Sequence, residues 1–553
     1  MFASAFTPST TAVADSLPLT ALLALLPLAV FFVMLGVFKI ATHWCAIGSL
    51  AVAIAVAVLG FHMPAGLSLL SATQGATFGL LVICYIVVAA VWLYNLSEAS
   101  GRGDDVRAVF SLVGKGDLRI QALLVATAFC ALMEGLAGFG APVAITCAML
   151  LALGLPPMKA ALVTMVANSI HVGFGAMAIP MITTAKLGGI DTPLITSTAS
   201  SITPLFLIWL PFLLLAMLDG ARGVKELWPI GLASGIGMAV GHYATAHFIS
   251  YELTAVVGAL LSFALAAGLL TFWTPSTPDD QRSAANGSES LGAGRITLAL
   301  LPYWFVVIVF AVAKLWRFGV DIPAVLKATD VKIPWPGLDG NLMTLSGEVS
   351  TDTVFTLSSL SSPGTMLVLA SLVVIAVYSA TDSDGRFPFS VSKGIATLGS
   401  TIMGLKMAIL TITAVMALAY AMNYSGQTVA IGTALAMTGA AFAFFAPILG
   451  WIGTAVTGSA TSAGALFANL HSTVAAQTGL SPQLLLAVNE VGGGLGKIIS
   501  PQNLAIAATA VKEEGMEPEL LRKALPYSVG LLLFLCIITA LASMGILGFL
   551  IAN

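Results

Sequence analysis

Apolar residues run along this 553-residue chain in long blocks separated by short polar segments. Blocks of roughly 20 apolar residues are what a bilayer core demands of a helix. The pattern predicts an all-α, polytopic membrane protein with about twelve spanning helices. They are expected near residues 17–38, 42–63, 77–96, 159–183, 202–218, 227–247, 253–273, 296–312, 366–380, 394–421, 482–507 and 526–552. Two apolar stretches remain, 120–156 and 429–477. Each is too long for one simple helix and is interrupted by Gly and small polar residues. The ten-residue alternation of a membrane barrel is absent.

Composition agrees. Charged residues are 8% of the chain, against roughly 25% in soluble domains. Apolar residues are 58%, and the mean hydropathy is +1.00. A water-soluble fold of this length could not hide so much apolar surface. The net charge of −3 comes with no basic patch, so nucleic acid is not an expected partner; the lipid bilayer is. The five Cys lie inside apolar runs without paired spacing, as buried packing residues do. No cofactor and no metal site is expected. The N-terminus lacks the basic stretch of a cleaved signal, so the first helix is expected to stay.

Lys and Arg collect on the cytoplasmic side of membrane proteins. With the N-terminus outside, Lys39, Arg102, Arg107, Lys115, Arg119, the "DGARGVKE" loop, Arg282, Arg295, Arg386, Lys393, Lys512, Arg522 and Lys523 all fall inside. This holds only if the two leftover stretches enter and leave on one side. They are then re-entrant hairpins, tolerated where they are buried in protein or line a cavity. The loop 317–361, with Arg317, Lys327 and Lys332, is the exception, and long loops follow the rule poorly. Both termini are expected outside.

Two segments share one pattern: "NSIHVGFGAMAIP" from Asn168 to Pro180, and "NEVGGGLGKIISP" from Asn489 to Pro501. Each opens on Asn, carries Gly at its sixth and eighth positions and closes on Pro. "GLPP" and "GLSP" precede them. By the charge reading, the first lies on a helix running outward and the second on one running inward. Inverted repeats with interrupted helices mark secondary transporters, whose site lies near the membrane midplane. The whole chain, 1–553, is thus expected to be one transport domain. A first repeat core, 77–218, would surround the hairpin 120–156, and a second, 394–552, the hairpin 429–477.

The first hairpin contains "EGLAGFGAPVAI", Glu134 to Ile145. Its Gly and Pro cannot sustain a regular helix, so open backbone around Gly138 and Gly140 is expected to face something polar. An opened helix N-terminus suits a carboxylate; close packing through small residues is the plainer reading. The second hairpin contains "TGSATSAGALFANLH", which sets Thr457, Ser459, Thr461, Ser462 and Asn469 in an apolar stretch. Such groups can bind an anion, or bond their own helix backbone.

Ionisable residues at membrane depth are costly and therefore site candidates: Glu134, His171, Lys406, His471, Glu490 and Lys497. Lys406 could equally snorkel, and His471 reads best as a satisfied buried imidazole. Glu490 and Lys497 would share a face of an unbroken helix, which "GGGLG" between them makes doubtful. The residues expected to bind substrate are Gly138, Gly140, Asn168, Ser459, Thr461, Ser462, Asn489 and Lys497. Lys497 either holds a substrate carboxylate or neutralises Glu490.

"EGLAGFGAPVAI", "FGAMAIP", "MNYSG", "GWIGTAVTGS", "ALFANL" and "GKIISPQNLAIA" together resemble the lactate permease family, which includes glycolate permeases, over essentially the whole chain. The resemblance implies a bacterial plasma-membrane symporter that moves lactate, glycolate or a similar 2-hydroxymonocarboxylate with a proton, and for such a symporter the residues expected to couple the proton are Glu490 first, then Glu134 and His171. Two positions depart from the family pattern. Ala460 stands where the family commonly has Asp, with Gly464 in place of Asn, and Glu490 stands where it commonly has Thr.

Other functions stay open at this level. One is a carrier for another small organic anion, coupled to Na⁺ through carbonyls and Asn or Ser side chains at the helix breaks. An intramembrane enzyme is disfavoured, since neither HExxH nor GxSxG occurs. A channel would be told apart by counterflow exchange. The sequence leaves oligomeric state undetermined.

Overall fold

The computed structural model describes residues 5–138, 140–282, 292–314, 319–381, 383, 385–513 and 515–552, with the side chains of 110–112 excluded. Phe139 of the first hairpin motif and Arg317 of the long loop lie outside the described residues. Among those described, eleven helices are long and apolar enough to cross a membrane. A pair bent by 60°, Ala293–Ala299 with Leu301–Ala313, makes a twelfth. The protein is all-α and polytopic, as its apolar blocks require. One two-stranded antiparallel ribbon, Val331–Pro334 with Val354–Leu357, sits in the long loop.

Several boundaries differ from expectation, each for a local reason. The helix expected at 77–96 begins at Ala65 and runs to Ser100. Its early polar residues point inward rather than ending it: Ser71 Oγ donates to Leu67 O at 2.7 Å, and Gln74 Nε2 to Asp352 O at 3.0 Å. The spans expected at 202–218 and 227–247 fall in one run of helix, Thr192–Phe248. It is kinked where Asp219 and Gly220 leave helical geometry. The stretch 429–477 holds three helices: Gln427–Ala436, then Phe442–Thr457 and Ala460–Thr478.

Both expected hairpin stretches fold as helix pairs, one arm of each (Leu118–Leu136 and Gly439–Thr457) being among the eleven apolar helices. In the second, His471 Nε2 lies 3.3 Å from Ala446 O, and Gly453 faces Ala463 and Phe467. The two helices therefore run antiparallel about a tip at Gly458, which has a positive φ of 73°. In the first, Leu118–Leu136 leads through Gly138 and Gly140, at φ 57° and 87°, into Ala141–Ala152, which packs back against it.

The two repeated segments are broken helices, but they break differently. In the first, Pro157–Asn168 tightens into a 3₁₀ turn, Ser169–Phe174. Ala176, Met177 and Ala178 then follow at φ 43°, 60° and 61°. Left-handed geometry costs non-glycine residues about 1–2 kcal/mol each and is characteristic of functional sites. In the second, "GGGLG" does not break the helix. Pro482–Lys497 is continuous, and the interruption falls after Lys497, before Pro501–Ala510. The glycines are a packing surface instead. A Cβ at Gly492 would lie 2.3 Å from Pro447 O, one at Gly496 2.2 Å from Trp451 O, and one at Gly494 2.2 Å from Ser169 O. From the other side, a Cβ at Gly450 would lie 1.9 Å from Asn489 O.

Basic residues expected on one side of the membrane meet at one end of the bundle. Buried Arg119 pairs with Asp117 (2.9 Å), Asp219 (2.9 Å) and Glu226 (2.6 Å). Arg222 bridges Asp219 and Asp280, and Arg295 pairs with Asp105. Arg102 lies over the rings of Tyr378 and Phe387. The ribbon-bearing loop belongs to a separate group of contacts, where Asp352 O accepts from Gln74 and Tyr424.

Candidate functional site

Both hairpin tips and both helix breaks converge. The tip of the first hairpin touches both broken helices: a Cβ at Gly138 would lie 3.3 Å from Ala176 Cβ, and one at Gly140 would meet the Ile506 side chain at 2.4 Å. The tip of the second touches the later break, with Gly458 against Gln502. Between them lies a cavity of 420 Å³. Its polar wall includes Glu134, Thr457, Ser459, Thr461, Ser462, Lys497 and Gln502. Ala41, Thr42 and His43, beside Lys39, also border it.

The charged centre of the cavity is one ion pair. Lys497 Nζ lies 3.1 Å from Glu134 Oε1 and 3.3 Å from Oε2. Asn168 supports the carboxylate from behind, its Nδ2 donating to Glu134 Oε2 at 2.8 Å. Both members of the pair are buried, so each holds the other's charge out of hydrocarbon. Lys497 occupies the position in its repeat that Ala176 occupies in the first, and both line the cavity.

The second hairpin turns a helix start toward the same space. Ser459 caps it, its hydroxyl accepting from Ser462 N at 3.2 Å. Thr457 and Ser459 also bond each other across the tip, so these two hydroxyls serve the backbone. The Thr461 and Ser462 hydroxyls have no hydrogen-bond partner among the described residues and remain free for a ligand. A lysine ammonium and a helix N-terminus thus face one cavity, and each of the two attracts a carboxylate.

The remaining candidates stand elsewhere. Asn168 and Asn489 do not line the cavity; each instead bonds a carboxylate, Asn489 Nδ2 donating to Glu490 Oε1 at 3.2 Å. Glu490 is fully buried and outside the cavity. Lys497 does not neutralise it, because the helix turns Lys497 toward Glu134. Glu490 Oε1 accepts instead from Thr184 Oγ1 at 2.5 Å, while Oε2 has no partner among the described residues. His171 is paired with His242, Nδ1 to Nε2 at 3.2 Å, away from the cavity. His471 is satisfied by the carbonyls of Phe467 and Ala446. Lys406 is exposed on the outer face of helix Val391–Tyr424.

Several polar residues of this region escaped sequence reasoning, among them Thr42, His43 and Thr411 on the cavity wall. Gln502 follows the second Pro of the repeat and faces the cavity. Thr184 belongs to a Thr183–Thr184 pair in an apolar run, a signal comparable to those read in the second hairpin.

Residues 20–545 match the family described as L-lactate permease. The L-lactate permease of Bacillus subtilis (strain 168) is 36% identical over 97% of this chain and 98% of its own length. The glycolate permease GlcA of Escherichia coli (strain K12) is 35% identical, with coverage of 97% and 98%. Among solved structures, the Alcanivorax borkumensis YdaH transporter aligns at 16% identity over 86% of this chain and 87% of that one, with a TM-score of 0.43. MtrF of Neisseria gonorrhoeae aligns at 15% identity over 85% and 83%, with a TM-score of 0.44.

Proposed function

Because this chain belongs to the L-lactate permease family and is a multi-pass membrane permease rather than an enzyme, we propose that it carries lactate, glycolate or a related 2-hydroxymonocarboxylate together with a proton. The observation that carries the reading is the Glu134–Lys497 pair in the cavity wall. An entering carboxylate competes with Glu134 for Lys497, and the reading is that it displaces Glu134 from the ammonium. A released, unpaired Glu134 in a buried site is stabilised by taking up a proton. One anion and one proton then enter together, and the charge of the site is unchanged.

Lys497 and the Ser462 end of the second hairpin hold the substrate carboxylate, with Thr461 and Ser462 offering hydroxyls to its 2-hydroxyl group. Gly138, Gly140 and the left-handed run Ala176–Ala178 supply open backbone around it. Glu134 is favoured as the coupling group over Glu490, which Lys497 does not reach. His171 is not assigned a role in coupling.

The two hairpins and two broken helices are read as inverted repeats, re-entrant from opposite faces, with alternating access between them. The cavity is assigned to the cytoplasmic side, since its rim includes residues next to Lys39; both termini then lie outside a bacterial inner membrane.

The test is uptake by the purified carrier in proteoliposomes, with a panel of monocarboxylates and a record of external pH. Uptake of 2-hydroxy acids accompanied by external alkalinisation in Na⁺-free buffer is expected. Uptake that requires Na⁺, or that leaves external pH unchanged, would contradict the reading.

A further inference from the structure

A second cavity, of 240 Å³, lies on the other side of the region that holds Glu490. Its wall includes Lys186, Gly188, Asp352, Asn423, Tyr424 and Asn469. Three helices border both cavities: Val391–Tyr424, and the two that pack on Glu490, Gly175–Gly188 and Ala460–Thr478. On Gly175–Gly188, Ile179 and Pro180 face the first cavity, and Lys186 to Gly188 face the second. On Ala460–Thr478, Thr461 and Ser462 face the first, and Asn469 the second. Between those levels the two helices meet, at Thr184 on one and Gly464 on the other.

The seam is closed by Glu490 from a third helix. A Cβ on Gly464 would lie 2.0 Å from Thr184 Oγ1 and 2.3 Å from Glu490 Oε1. The Thr184–Glu490 hydrogen bond therefore forms through the space that a side chain at position 464 would fill. Farther along, the same three helices meet again: Ser472 Oγ donates to Gly188 O at 2.7 Å, and Gly188 abuts Leu486. Thr184 lies just past the first repeated segment, on the helix Gly175–Gly188 that carries its end, and Glu490 lies in the second, so the bond ties together the parts that would have to separate for access to change sides.

Resting on the transport reading above, we propose that Thr184, Gly464 and Glu490 form the closed gate between the two cavities, with the Thr184–Glu490 hydrogen bond as its latch. Glu490 is then a positioning residue: it holds the carrier open toward the first cavity and touches no substrate. Opening toward the second cavity breaks the Thr184–Glu490 bond, along with the Ser472–Gly188 bond beyond it, and exposes Thr184 and Glu490 to the Lys186–Asn469 vestibule. Breaking the Thr184–Glu490 bond leaves a buried hydroxyl and a buried carboxyl group without their partner, a cost of about 1–3 kcal/mol until water reaches them, so its loss should shift the balance of the two conformations measurably.

The gate can be tested without any transported substrate. Ala460 lines the first cavity, and the five native thiols are buried. A carrier with Ala460→Cys should be labelled by a membrane-impermeant thiol reagent from the Lys39 face and weakly from the Lys186 face. Adding Thr184→Val or Gly464→Ala should raise labelling from the Lys186 face severalfold, while Thr184→Ser, which keeps the hydroxyl, should leave it low. Unchanged labelling in both Thr184→Val and Gly464→Ala would overturn the gate. A rise in Thr184→Ser as large as in Thr184→Val would overturn it too, since the hydroxyl would then be irrelevant. Labelling reports access alone, so failure here is distinct from failure of the 2-hydroxy acid panel, which would leave the gate standing on a carrier of another cargo.

Discussion

Lys497 Nζ stands 3.1 Å from Glu134 Oε1, joining a residue at the break of the second repeated helix to the hairpin of the first. Removing one partner of a buried ion pair leaves an uncompensated charge, which costs about 3–5 kcal/mol. Lys497→Met should therefore destabilise the carrier and abolish uptake. Glu134→Gln combined with Lys497→Met should recover thermal stability in detergent without recovering transport. If the double variant is no more stable than Lys497→Met alone, the pair is not coupled as the geometry indicates.

Swapping one carboxylate for another on Lys497 conserves charge, and this sets the energetics of uptake. A membrane potential does work of about 2.3 kcal/mol per charge per 100 mV. It should do none on one monocarboxylate entering with one proton. Accumulation at fixed pH gradient is expected to be the same with and without an imposed potassium diffusion potential. Net uptake driven by potential alone, at matched pH, would rule out the one-to-one exchange.

The glycines of the second repeat predict a stability pattern rather than a catalytic one. A Cβ at Gly450 would lie 1.9 Å from Asn489 O, whereas one at Gly530 would meet nothing within 4 Å. Overpacking a dense core costs typically about 1–3 kcal/mol. Gly450→Ala should lower the melting temperature and yield of the carrier, and Gly530→Ala should not. Equal melting temperatures for the two variants would show that the helices can part without penalty.

Much of this architecture was legible in the chain, and its limits have physical causes. Apolar blocks and the Lys/Arg distribution suffice for the helical membrane class, because a bilayer tolerates few alternatives. The repeated Asn…Gly-x-Gly…Pro pattern located both broken helices, since Pro and Gly act on backbone directly. It did not reveal where the second one breaks: a Gly run reads alike whether it opens a helix or lets another pack close, and only the neighbours at Pro447, Trp451 and Ser169 decide. The ionisable residues of the site were identifiable by their cost in hydrocarbon. Their pairing was not, because Glu134 and Lys497 meet through tertiary packing alone, and seven-residue spacing favoured the wrong partner for Lys497. The start at Ala65 was hidden because Ser71 and Gln74 are polar residues on a buried helix face.

Beside the Arg222–Asp280 pair, Arg119 ties the base of the first hairpin to the kink at Asp219 and to Glu226. Its side chain is 1% exposed, so Arg119→Met would strand Asp117 in a buried position. The variant should melt at a clearly lower temperature, by the about 3–5 kcal/mol expected for a broken buried pair and less to the extent that solvent reaches Glu226. Arg119→Lys should recover part of it, having one ammonium for a guanidinium that reaches three carboxylates. An unchanged melting curve for Arg119→Met would show that the network is not holding these elements together.

Coupling turns on which carboxylate carries the proton. The decisive measurement compares Glu134→Gln with Glu490→Gln in proteoliposomes, recording both pH-driven accumulation and substrate–substrate exchange. A glutamine at 134 imitates the protonated acid and frees Lys497 permanently. Exchange should survive in Glu134→Gln while accumulation against a gradient is lost. Glu490→Gln should keep its coupling to the pH gradient, at an altered rate. If Glu134→Gln still concentrates substrate in response to a pH gradient and Glu490→Gln does not, the proton travels on Glu490, and the exchange of carboxylates on Lys497 is not the coupling step.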